Sequence, residues 1–93
     1  MKILGHNYRV ILTDHNRASE LGKVNHGNGT IQLRDDLAGD CKMSTLLHEI
    51  VHTIDFQLNT EMEENNIGRM ATGLYQVLVD NGVSLKPLLR GIK

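Results

Sequence analysis

Leu46-Leu47-His48-Glu49-Ile50-Val51-His52-Thr53-Ile54-Asp55 is the stretch on which the reading of this chain turns. With Met43 before it and Leu58 after it, its apolar residues recur at intervals of three and four, the spacing of one face of an α-helix. The pattern predicts an amphipathic helix that begins near Asp40 or Ser44, either of which can accept a hydrogen bond from a free first-turn amide, and frays through 57–60. On such a helix His48 and His52 stack one turn apart on a single face, so both can reach one tetrahedral metal at about 2.0 to 2.1 Å. Leu46, Leu47, Ile50, Val51 and Ile54 form a separate stripe, so the metal face and the core face do not compete for the same side of the helix.

Upstream, residues 7–13 form a β-branched and aromatic run that ends in the turn-forming 14–17. Residues 21–26 and 30–33 alternate around Gly27-Asn28-Gly29, a hairpin signal in which Val24, Ile31 and Leu33 face a core while Lys23, Asn25, Thr30 and Gln32 face outward. Downstream, a second helix is expected from Glu61 or Glu63 to Asp80, with Ile67, Met70, Ala71, Leu74, Val77 and Leu78 on its apolar stripe, acids in its first turn and Asn81-Gly82 as its stop. Pro87 sets off a C-terminal tail, 83–93. The expected fold is α+β: a small antiparallel sheet of about three strands packed on the histidine-bearing helix and on a second, antiparallel helix. All of it falls in one domain, 1–93, a length that leaves no room for a second core.

A metal site of this kind needs a third protein ligand and an open position for water. Asp55 shares the histidine face, but it lies about 10.5 Å along the axis from His48 and cannot converge on the same ion from a regular helix. It is read as an outer partner that fixes an imidazole tautomer or as a helix-end group. A short turn between antiparallel helices returns the start of the second helix to His52, which makes Glu61, Glu63 and Glu64 candidates. Glu64 is preferred because it sits on the edge of the stripe that faces the first helix; Glu63 is the alternative, since a small rotation exchanges the two. Glu49 points about 100° away from His48, beyond ligation yet near enough to hydrogen-bond a metal-bound water, the place of a general base. Zinc lowers the pKa of such a water towards about 7, and the carboxylate accepts its proton as a peptide carbonyl is attacked. His26 and Tyr75 are considered as donors to an oxyanion, and neither has positional support to be named catalytic.

The formal net charge is -1 and the cations are scattered, so direct nucleic-acid binding is not expected. Cys41 is solitary, no signal-like segment opens the chain and no run approaches a membrane span, which favours the cytoplasm and no membrane association.

The same residues, His48-Glu49-Ile50-Val51-His52 with Glu63-Glu64, Ile67, Arg69-Met70-Ala71 and Asp80-Asn81 after them, resemble the small ImmA/IrrE-like zinc metallopeptidases of phages and other mobile elements, over roughly 22–81. The resemblance implies a minimal zincin-like fold of the gluzincin type and a Zn2+ cofactor. It also implies His48, His52 and Glu64 (or Glu63) as ligands, Glu49 as base, a protein or peptide substrate and, for a phage-encoded chain, the host cytoplasm. Larger members attach a DNA-binding or sensor region and cut a repressor; with neither region expected here, the repressor-cutting role is not expected of this chain. The competing expectation is a metal-stabilised, weakly active or inactive interaction module of the same origin. An extended substrate is expected along an exposed strand, with 30–33 as the candidate edge.

Overall fold

The structure is a computed structural model in which residues 1–89 are described. It is α+β, and its elements follow from local chemistry in chain order. A small hairpin, β1 (Lys2–Ile3) and β2 (His6–Asn7), turns through Leu4 and Gly5 at φ of 50° and 83°. Positive φ at both central residues is what a tight hairpin turn asks for, and glycine supplies one of them without a steric penalty. Tyr8 then interrupts the run expected to be one strand: it is buried, and its N–H donates to the Met1 carbonyl at 2.8 Å.

The main sheet contains β3 (Arg9–Thr13), β4 (Gly22–Asn25) and β5 (Thr30–Arg34) in the order β3-β5-β4. β4 and β5 form the expected antiparallel hairpin, with Val24 opposite Ile31. β3, however, runs parallel to β5, with Val10 beside Ile31 and Leu12 beside Leu33, so the sheet is mixed and not wholly antiparallel. The cause is the connection 14–21, which crosses the sheet end and leaves β3 and β4 on opposite edges of β5. It is tied down there by His15, whose N–H donates to Asp35 Oδ1 at 3.1 Å, and by the Arg34 N–H, which donates to the Leu21 carbonyl at 2.9 Å.

Helix α1 (Gly39–Leu58) starts one residue earlier than expected, from Ala38, which makes no side-chain cap. Asp40 and Ser44 both lie inside the helix, and Asp40 accepts the Cys41 N–H at 2.9 Å. One side of α1 packs Leu46, Ile50 and Ile54 on Ile31, Leu33, Ile3 and Tyr8. Its adjacent side packs Val51 against Ile67 and Ala71 of α2 (Glu64–Asp80), with Met62 of the connecting turn alongside. Only Ile67 and Ala71 of the stripe expected on α2 are buried; Met70, Leu74 and Val77 are exposed. The helices meet through the first half of α2, and the apolar residues that face away from Val51 are left uncovered. A 3-10 turn (Lys86–Leu89) lays Leu88 and Leu89 on the main core; Arg90 to Lys93 of the tail lie outside the described residues. Among the described residues no helix is long and apolar enough to cross a membrane.

Candidate metal centre

The four-residue spacing of His48 and His52 places their rings 4.9 Å apart on the half-buried face of α1. Glu64, the first residue of α2, reaches back across the groove between the helices. Its Oε1 lies 2.9 Å from His48 Nε2 and its Oε2 lies 2.9 Å from His52 Nε2. All three residues can bring one ligand atom within 4.8 Å of the other two. Donors bound to one tetrahedral ion at zinc distances are about 3.3 Å apart, so a few tenths of an ångström of opening admits a cation. Two imidazoles and a carboxylate are also the chemistry that zinc takes, with three protein ligands leaving one position for solvent or substrate. The donor set therefore fits a divalent ion. Glu63 is outside this group: it is the exposed N-cap residue of α2.

The connecting turn sets the position of Glu64. Asn59 and Glu61 adopt φ of 53° and 56°, which reverses the chain within a few residues. Asp55 holds that reversal, with Oδ1 accepting hydrogen bonds from the Thr60 hydroxyl and from the Met62 N–H, the latter at 2.9 Å. These donors keep its carboxyl below the usual range, with a smaller contribution from the charge of His52. Asp55 is thus bonded to the turn, and among the described residues it makes no hydrogen bond to an imidazole. Its place differs from the tautomer-fixing one considered for it, because the last turn of α1 carries its side chain past the rings towards the start of α2.

Glu49 is buried, 6% exposed, and faces the same cleft. Burial pushes its carboxyl up to about 7; His48 opposes that rise, and the negative charges of Glu64 and Glu20 add to it. The cleft has a volume of about 800 Å³. α1 supplies its floor, Glu64, Ala71, Thr72 and Tyr75 one wall, and residues 20–24 the other.

That second wall was not legible as such. The candidate edge at 30–33 is β5, the central strand, paired on both sides and with Thr30, Ile31 and Leu33 buried. The strand at the cleft is β4. It comes close enough to α1 that a Cβ on Gly22 would lie 2.7 Å from Thr45 Cγ2 and 3.1 Å from the Gln32 carbonyl oxygen, so any side chain there must push its neighbours aside. Glu20, just before β4, is a further cleft residue that spacing alone does not reveal. Tyr75 does line the cleft, eleven residues along the same face of α2 as Glu64. His26 is elsewhere, stacked on Phe56 with centroids 3.8 Å apart and 3.3 Å from the Tyr8 hydroxyl. Burial, and secondarily the charge of His52, lowers its pKa.

A second group of possible ligands, Asp14, His15 and Asp35, meets the same distance criterion but is exposed throughout. Comparison with family models, with curated proteins and with solved structures returns no match for this chain.

Proposed function

We propose that this chain is a zinc-dependent metallopeptidase, similar in its site to the ImmA/IrrE-like peptidases of phages and mobile elements and acting on a protein or peptide in the cytoplasm. The observation that carries the reading is a buried carboxylate, Glu49, facing the cleft directly beside a His48–His52–Glu64 donor set. A purely structural metal site has no use for a base next to its ligands.

His48, His52 and Glu64 would hold the ion. When bound, zinc supplies Lewis acidity that polarises a carbonyl and makes water more acidic. Glu49 takes a proton from a water in the cleft as that oxygen adds to the peptide carbon, and returns it to the amine of the departing segment. Asp55 positions the turn that presents Glu64. The outer edge of β4, which no strand pairs among the described residues, offers backbone N–H and C=O groups to an extended chain, a sequence-tolerant mode of binding.

The test is Glu49→Gln, a near-isosteric change that removes the base and leaves the donors in place. Peptidase activity of the zinc-loaded chain on unstructured protein is expected to fall by a factor of about 100 to 10,000 while bound zinc is unchanged. Equal activity in variant and parent refutes the assignment. A second reading, a metal-stabilised interaction module with little hydrolysis, draws support from the exposed apolar side chains of α2. It is the outcome if the zinc-loaded parent itself cleaves nothing.

A further inference from the structure

The uncovered side of α2 carries a second message. Met70, Leu74 and Val77 are 50%, 43% and 57% exposed and follow the alternating four- and three-residue spacing of a helix–helix seam. Apart from Glu64, which belongs to the metal group, the charged residues of α2 are Arg69 and Asp80. Seen down the axis, both lie on the same flank of the seam, roughly 80° to 100° from Met70. They are of opposite sign and about 16 Å apart along the helix.

These positions choose a geometry. In a parallel pair of helices one flank meets the opposite flank of its partner, whereas in an antiparallel pair each flank meets its own copy. The midpoint of Arg69 and Asp80 and that of Met70 and Val77 both fall within a residue of Leu74. A two-fold axis at Leu74 therefore sets Met70 against the other copy's Val77 and, on one flank, Arg69 against its Asp80, twice over. Gly73 lies on that flank beside the axis, and a Cβ there would meet nothing within 4 Å among the described residues outside its own helical turn. Its lack of a side chain shortens the approach of a second helix.

We propose that α2 is the self-association surface of this protein: an isologous, antiparallel dimer built on Met70, Leu74 and Val77, with reciprocal Arg69–Asp80 pairs fixing its direction. With so few apolar side chains in the contact, the dimer is in weak, micromolar equilibrium with monomer. The surface is independent of the zinc site.

Sedimentation equilibrium of the full chain tests it, with circular dichroism confirming that each variant is folded. Gly73→Leu puts a bulky side chain on the approach flank, where a Cβ meets nothing within 4 Å among the described residues outside its own helical turn; it is expected to leave the helix content intact and abolish dimerisation. Arg69→Asp and Asp80→Arg alone each place like charges opposite one another and should weaken association by roughly three- to tenfold. The double exchange restores complementary pairs and returns the dissociation constant to that of the parent. A parent chain still monomeric at about 1 mM overturns the proposal. So do unchanged association in Gly73→Leu, charge variants without mutual rescue, and monomers in which the tail beyond Leu89 covers the stripe, seen as cross-links from Lys93 to α2 within one chain.

Discussion

Two clusters in this molecule satisfy the same distance test for a cation, and they differ in almost everything else. His48, His52 and Glu64 come from two packed helices, with both imidazoles half-buried and a buried acid beside them. Asp14, His15 and Asp35 come from two loops at the end of the sheet and are exposed throughout, although His15 Nδ1 lies 2.8 Å from Asp35 Oδ1, as close as Glu64 lies to the two imidazoles. Proximity alone does not make a site. Chemistry needs donors held by a scaffold that water and thermal motion do not rearrange, and a neighbouring group to move a proton.

The largest expected effect that sharpens this contrast is the loss of hydrolysis in Glu49→Gln, given above, beside an unchanged rate in Asp35→Asn. Next comes the turn. Asp55→Ala frees the Thr60 and Met62 donors and loosens the presentation of Glu64, so zinc affinity measured by competition with a chelating dye should fall by up to roughly tenfold, the low end of what loss of a group bonded directly to a ligand costs. The corresponding change at the other cluster, Asp14→Ala, should leave it unaltered.

A smaller effect is expected at the edge of the cleft. Gly22→Ala forces Thr45 Cγ2 and the β5 backbone aside and should cost about 1 to 3 kcal/mol, read as a lower midpoint in urea. The smallest belongs to the exposed cluster. Its hydrogen bond, the larger cause in each case, holds Asp35 below and His15 above their ordinary values. The Asp35 contribution is present above the unfolded carboxyl pKa and lost as pH falls through the folded one. The His15 contribution is present below the unfolded imidazole pKa and lost as pH rises through the folded one. The pair therefore stabilises the fold most between about pH 4 and about pH 6.5, and the stability difference between parent and His15→Gln should be largest in that window.

The sequence disclosed most where structure is local. The three- and four-residue spacing of Leu46, Ile50 and Ile54 revealed α1, and the four-residue separation of His48 and His52 brought the rings onto one face, because both depend only on helical pitch. The acid that returns to them was narrowed to neighbours because the intervening turn is short. What stayed hidden is non-local. Nothing in residues 9–13 says that β3 pairs with the far side of β5, and that pairing alone makes β5 central and hands the cleft to β4, Gly22 and Glu20. The stripe on α2 was read as core because periodicity records which side chains share a face, not which faces find a partner. The turn at Leu4 was missed because leucine seldom adopts positive φ.

The contrast between the clusters comes to a single measurement: zinc bound per chain, by elemental analysis after exhaustive dialysis, in the parent, His48→Ala, His52→Ala and His15→Ala. A single ion per chain is expected in the parent and in His15→Ala, and none above background in the two helix variants. Equal zinc in all four proteins, or loss of zinc with His15→Ala alone, would contradict the assignment of the metal to the groove between α1 and α2.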